Sequence, residues 1–395
     1  MTSFSRLDTE TLLARLVAFD TTSRNSNLAL IGFVADYLDG FGVRTEVLRS
    51  PDGIKANLLA SVGPGREGGV VLSGHTDVVP VDGQHWHTDP FGLVADGEHL
   101  TGRGTSDMKG FIACVLAAVP DMCAAKLASP LHFAFSYDEE VGCLGAPHMI
   151  RHMLEQRFAP RAVLIGEPTD MRVMNAHKGM QTRRVEVCGH EAHSSQTQLG
   201  VSAVGLAGRL IHWLVEAAEA RYRSGPRDGR FTPAWSSIAV NQVHGGTAVN
   251  ILAGRCEFTW ELRHLPDDDP AALLEDFRAF CARVEAEARE ISPRVSLRQT
   301  LLAEIPALVP EAGGAAEALA RLLTAADEDS GAVAFCTEGG QFQQAGFSTV
   351  VCGPGSVVQA HQPDEHVSRA DLVRCETMLA RLIRRQTDDA PQSRA

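Results

Sequence analysis

The stretch GGVVLSGHTDVV, residues 68–79, decides how the chain is read. Val70, Val71 and Leu72 form an unbroken apolar run, and a strand apolar on consecutive residues is covered on both faces. The run ends in Ser73, His75, Thr76 and Asp77, so polar side chains gather at one end of a buried strand. Sheets covered by helices deliver their ligands at such ends. The same signature recurs along the chain. LHFAFSYDEEVGCLG (131–145) is an apolar run that stops abruptly in Asp138, Glu139 and Glu140, and RAVLIGEP (161–168) stops in Glu167. Three adjacent acids beside a buried strand repel one another unless cations or a shared proton relieve them. A solvated acidic loop is the alternative, and the apolar flanks weigh against it.

Helical patterns separate these strands. DTETLLARLVAF (8–19) has Asp8 as a natural N-cap, NLALIGFVADYLDGFG (27–42) ends in glycine, and GFIACVLAAVPDMCAA (110–125) follows a glycine-rich loop. The alternation predicts an α/β domain with a mixed sheet covered by helices on both faces. From Gly179 the rhythm changes. QTRRVEVCG, SAVGLAGRLIHWLVEAAEARYR, SSIAVNQVHGG, GRCEFTWELRHLP, DPAALLEDFRAFCARVEAEARE and RVSLRQTLL read as β-α-β-β-α-β, the order of a ferredoxin-like sandwich. The α/β rhythm then returns with STVVCGPG (348–355). The expectation is one discontinuous catalytic domain, residues 1–178 and 294–395, carrying an inserted domain at 179–293. The polar tail RRQTDDAPQSRA (384–395) is expected to fray.

A chain of 395 residues is long for one core, which agrees with two domains. Its formal net charge of −13 argues against nucleic acid or an anionic membrane as partner. The apolar run FIACVLAAV (111–119) is too short to span a bilayer, and the first twenty residues read as an amphipathic helix with acids, not a signal peptide. A cytoplasmic protein is expected. Nine cysteines without a C-x-x-C pair suit reduced thiols, and Cys114, Cys143, Cys188 and Cys256 read as small core hydrophobes.

The chemistry is concentrated at the strand ends. His75 and Asp77 share one side of an extended segment, so Asp77 can orient the His75 ring; a plain polar turn is the alternative. Asp107, in LTGRGTSDMKG (100–110), lies at a helix start, where an N-cap role would explain it without metal. Glu167 follows a buried strand, and His361 lies in VVCGPGSVVQAHQPDEHV (350–367). Lone histidines such as His132, His212 and His244 read as structural or surface residues. Two histidines and three carboxylates are what a pair of Zn²⁺-like ions about 3.5–4 Å apart requires, with one carboxylate bridging. A further acid must stay off the metals as general base.

SGHTDVVPV, GRGTSDMKG, DEEVGCLGA, GEPTD and GPGSVVQAHQPDE together resemble the zinc-dependent amidohydrolase and peptidase family. That family includes acetylornithine deacetylases, succinyl-diaminopimelate desuccinylases, aminoacylases and several carboxypeptidases, and the resemblance runs from about Leu7 to Ile383. It implies two Zn²⁺, with Co²⁺ or Mn²⁺ as substitutes. It further implies that His75 and His361 bind one metal each, that Asp107 bridges them, and that Glu140 and Glu167 complete the sites. Asp77 would orient His75, and Glu139 would be the general base and acid. His193, in GHEAHSS, would stabilise the oxyanion, a surface histidine on a strand-to-helix turn being the alternative, and the inserted domain would serve as lid and homodimer interface. Asn250 and Arg263 match substrate-binding lid residues, although a surface strand arginine is the plainer reading of Arg263.

Glu338, in CTEGGQF, is expected to pair with a substrate ammonium group, a solvated acid without a role being the alternative. The resemblance therefore points to a small N-acyl amino acid, N²-acetyl-L-ornithine, deacetylated to ornithine and acetate in arginine biosynthesis. Another N-acyl amino acid (acetylcitrulline, succinyl-diaminopimelate) or a peptide cleaved by a metallocarboxypeptidase is the alternative. A binding protein that merely kept the fold is disfavoured, because every ligand position and the base are present.

Overall fold

A computed structural model of the chain describes residues 6–387. Two compact units emerge. The first takes the residues up to Ala176, then Leu308–Ala332 and those from Thr337 on; the second takes His177–Ala307 and Val333–Cys336.

The first unit begins with α1 (Thr9–Val17), α2 (Leu28–Asp39), β1 (Thr45–Arg49), β2 (Ala56–Val62), β3 (Val70–His75), β4 (Val94–Asp96) and β5 (His99–Thr101). It continues with α3 (Lys109–Ala124), β6 (Leu131–Ser136), α4 (Ala146–Glu155), β7 (Ala162–Pro168) and β8 (Met174–His177). The second unit follows as β9 (Gly179–Cys188), α5 (Ala203–Ser224), β10 (Ser237–Gly245), β11 (Arg255–His264), α6 (Ala271–Arg289) and β12 (Ser296–Ile305). The chain then returns through α7 (Ala315–Thr324), β13 (Gly331–Val333), α8 (Gly339–Gln344), β14 (Thr349–Gly353), β15 (His366–Ser368) and α9 (Arg369–Arg385).

Among the described residues an eight-stranded mixed sheet runs β1-β2-β6-β3-β7-β14-β8-β13. Its centre, β6, β3, β7 and β14, is parallel, and β2 and β8 flank it antiparallel. On one face Leu72, Phe133, Leu164 and Val350 share a core with α1, α2, α3 and α9. The intervening residues Val71, Ala134, Ile165 and Val351 point the other way, where α4 packs on β2 and β6 and α8 on β7 and β14. Each such aliphatic or aromatic side chain contributes about 1.5–3 kcal/mol by leaving water. At Gly166 a Cβ would fall 2.1 Å from the Phe111 ring, so only glycine lets β7 lie this close to α3. Asp8 caps α1, its carboxylate accepting from Thr11 N–H at 2.8 Å.

A small antiparallel sheet, β15-β5-β4, completes the first unit. The sequence reading did not place it, nor α4, α8 and α9. The tail is ordered further than expected: α9 runs to Arg385, Gln386 is buried and Thr387 bridges Leu127. The rest of the expected fray, 388–395, and the first five residues of the expected N-terminal helix lie outside the described residues.

The second unit is the β-α-β-β-α-β arrangement, an antiparallel sheet ordered β10-β11-β9-β12. Alternate residues of β11 (Cys256, Phe258, Trp260 and Leu262) are buried against Leu210 of α5 and Phe277 of α6. This unit reaches Ala307, past the 293 limit read from sequence, because Ser296–Ile305 pairs along β9 and cannot be separated from it. Cys114, Cys143 and Cys256 are buried, whereas Cys188, at the end of β9, is exposed. Among the described residues no helix is long and apolar enough to cross a membrane.

Candidate metal centre

The four parallel strands end at one edge of the sheet, and each supplies a side chain there. His75 closes β3, and Glu167 stands next to last in β7. The acids Asp138–Glu140 follow β6, and the loop after β14 leads to His361. Asp107 enters from the turn between β5 and α3.

His75 Nε2 lies 2.9 Å from Asp107 Oδ1 and 3.6 Å from Glu167 Oε1. His361 Nε2 lies 3.3 Å from Asp107 Oδ2 and 3.0 Å from Glu140 Oε2. The two oxygens of Asp107 therefore face different histidines, as a carboxylate shared by two cations must. Candidate ligand atoms of His75, Asp107 and Glu140 lie within 4.8 Å of one another, and so do those of His75, Glu139 and Glu167. Glu139 thus stands as near His75 as the other acids do, and distance alone does not separate a base from the ligands.

Burial pushes the carboxyls of Glu139 and Glu140 up to about 8 and about 7, and that of Glu167 well above its ordinary value. Burial acts on Asp107 as well, but hydrogen bonds from His361 and His75 hold it low. The same contacts, with Asp107 first and Glu140 second, raise His361 to about 10. Glu140 Oε1 is buried with no hydrogen-bond partner. Leaving such an atom unsatisfied costs about 1–3 kcal/mol or more. A nitrogen-and-carboxylate donor set with a bare buried oxygen fits divalent cations of the zinc type.

The surrounding contacts explain how three consecutive acids are tolerated. Asp138 turns away and pairs with Lys55. Asp77 accepts the backbone N–H of Glu139 at 3.1 Å and of Glu140 at 3.3 Å, and Ser23 donates to it at 2.7 Å. This differs from the expected contact with the His75 ring. His75 Nδ1 lies 2.9 Å from the Asp77 carbonyl but 3.7 Å from its carboxylate, which is engaged by the acid turn. The N-cap alternative for Asp107 also falls, because α3 starts at Lys109 behind Met108, with no side-chain cap. The Asp107–Met108 peptide is cis. Cys143 donates its thiol to Glu139 Oε1 at 3.2 Å.

Glu338 is buried at the start of α8, where Ser73 donates to Oε2 at 3.2 Å and Oε1 has no hydrogen-bond partner. Burial raises it to about 7. In the second unit His193 is exposed, with Nδ1 2.8 Å from Ser195 Oγ, and Ser194 N–H donates to the Asn250 carbonyl at 3.0 Å. His193 and Asn250 are therefore neighbours. Arg263 instead donates Nε to Glu261, two residues along β11, at 2.6 Å. Sequence reasoning missed Lys55, Cys143, Arg103 and Glu365. Three of these lie inside the quoted motifs, close to the candidate ligands, and adjacency was the only available signal.

The family model of peptidase family M20/M25/M40 matches residues 71–385. The acetylornithine deacetylase of Pasteurella multocida (strain Pm70) is 35% identical over 361 residues, 91% of each chain. That of Myxococcus xanthus is 35% identical over 383 residues, 94% of this chain and 95% of the relative. The crystal structure of an M20 family metallo-carboxypeptidase from Sulfolobus solfataricus aligns with a TM-score of 0.73 at 15% identity, over 95% of this chain and 99% of that one, and shares the fold.

Proposed function

The chain belongs to peptidase family M20/M25/M40, and from that premise we propose that it deacetylates N²-acetyl-L-ornithine to L-ornithine and acetate. It is a metal-dependent hydrolase. The observation that carries the reading is the division of Asp107 between two histidines, each with its own glutamate. The substrate is taken from the relatives that align along more than nine-tenths of the chain.

In this reading His75 and Glu167 would hold one ion, His361 and Glu140 the other, and Asp107 would be shared between them. The nitrogen-and-carboxylate donor set would suit Zn²⁺, with Co²⁺ or Mn²⁺ able to replace it. When bound, such a pair polarises an amide carbonyl and lowers the pKa of an attacking water. Glu139 takes the proton of the water as its oxygen bonds to the carbonyl carbon, and passes it to the amine nitrogen as the C–N bond breaks and acetate leaves. His193 donates to the oxyanion. Asn250 and Arg263 receive the substrate carboxylate, Arg263 by exchanging Glu261 for it. The unpartnered Oε1 of Glu338 accepts from the side-chain ammonium.

A homodimer through the second unit is supported by the exposed apolar side chains Val243 on β10 and Val204, Val215 and Tyr222 on α5. Buried thiols suit a cytoplasmic setting, and the product suits arginine biosynthesis.

Hydrolysis of N²-acetyl-L-ornithine, N-succinyl-diaminopimelate and N-acetylmethionine by metal-stripped protein, with and without Zn²⁺, tests the reading. Zinc-dependent turnover favouring acetylornithine is expected, and Glu338→Ala should lose that preference selectively. Zinc-dependent turnover of another substrate keeps the hydrolase and removes the proposed substrate.

A further inference from the structure

Glu365 is buried beneath the centre, and its carboxylate is saturated by donors of the chain. Oε1 accepts the backbone N–H of Ser106 at 2.9 Å and of Asp107 at 3.0 Å. Oε2 accepts the N–H of Gly104 at 3.0 Å and an Arg103 guanidinium N–H at 2.8 Å. Its carbonyl accepts Gly102 N–H at 2.8 Å and the Thr105 hydroxyl at 3.2 Å. No acceptor capacity remains for a metal. The whole 102–107 turn is instead wrapped around one side chain and its own carbonyl. Gly104 makes this possible: its φ is +86°, and a Cβ there would meet Val78 and Lys109 at 2.9 Å.

The same carboxylate reaches the other half of the centre. Arg103, itself buried, passes its second arm to Gln84 Oε1 at 2.5 Å, and Gln84 Nε2 donates to the His361 carbonyl at 2.9 Å. Arg103 also donates to the Gln362 carbonyl at 3.4 Å. His361 has a φ of 63°, a left-handed conformation that a non-glycine residue adopts only when its surroundings hold it. Pairing of β15 with β5 (His366 opposite Thr101) sets the register in which Glu365 meets this turn.

We infer that Glu365 is a positioning residue: it holds the turn that presents Asp107 and, through Arg103 and Gln84, the segment that presents His361. The inference rests on the two-metal reading above. Partners outside the ligand shell, when removed, weaken metal binding by about 10–100-fold. In Glu365→Gln one oxygen becomes an NH₂ group that faces chain donors instead of accepting from them.

Metal-stripped wild type, Glu365→Gln and Gln84→Ala would be titrated with Co²⁺ against a competing chelator. The bound-cobalt absorption bands would be recorded, and folding followed by circular dichroism. Wild type is expected to take up two ions. Glu365→Gln should bind about 10–100-fold more weakly with altered bands, and Gln84→Ala several-fold more weakly through His361 alone. A general loss of stability would lower the melting temperature but leave the bands of the folded protein unchanged. Wild-type affinity and bands in a folded Glu365→Gln overturn the inference while the two-metal reading stands. Should Glu365→Gln not fold, the half-exposed Gln84 position decides, and wild-type cobalt binding by Gln84→Ala overturns it. A wild type that takes up no cobalt overturns both.

Discussion

Glu139 and Glu140 are chain neighbours with different proposed work, and substitution separates them. Glu139→Gln keeps size and removes the proton acceptor; kcat should fall about 10²–10⁴-fold while metal content stays at the wild-type value. Glu140→Gln should lose metal itself, as read by elemental analysis of the purified protein. Loss of metal in Glu139→Gln would reverse the two roles, which the shared proximity to His75 makes a real test. Among the candidate ligands His75, Glu140 and Glu167 were legible because each follows an apolar run. What stabilises them was not. Lys55 meets Asp138 across 83 positions, and Arg103 meets Glu365 across 262. No local pattern encodes a partner that distant. Asp107 was ambiguous for the opposite reason, since a helix start close by offered a sufficient local explanation.

β6 carries a polar residue into the sheet as well as to its end. His132 is buried among apolar neighbours, with Nδ1 2.8 Å from Ser61 Oγ and its ring edge-on to Phe158. Burial lowers its pKa to about 4, against an ordinary 6.5. As pH falls below 6.5 the unfolded chain takes up this proton first, so the contribution to stability is complete above 6.5 and is lost on the way down to 4. The wild type should lose on the order of 2 kcal/mol through this group between pH 7 and pH 4.5. His132→Leu, compared by urea unfolding at both pH values, should show that much less acid sensitivity; an equal slope would assign the acid lability elsewhere. Elements with long periodic patterns, α1, α5 and α6 among them, were legible. The strands of the small sheet, three residues each, were not. Too short to show a period, they are held by pairing with one another, and the register that seats Glu365 was hidden with them.

The two units have separate cores, and only the first contains the carboxylate cluster. Metal removal leaves that cluster's charge uncompensated, so its effect should be confined there. Hydrogen exchange of chelated against zinc-loaded protein is expected to speed up in 102–109, 138–145 and 354–365 and to stay unchanged in β9–β12. Uniform acceleration would mean that the units unfold together. The order of elements was legible at this scale, because the change from β-α to β-α-β-β-α-β is a change of rhythm. The limit at 293 was not, because an edge strand reads alike whether it ends one unit or begins the next. The placement of the second unit inside the first has a consequence for synthesis. β14 pairs with β7, yet His177–Ala307 is made between them. On the ribosome the insert can complete its own sheet while the larger sheet still lacks its partner strand. His361 emerges later still, so on the proposed assignment a nascent chain would carry His75, Asp107, Glu140 and Glu167 for some time as an unfinished site. The centre can close only as a late act of translation, and a chain stalled before residue 361 would be folded in part but chemically silent.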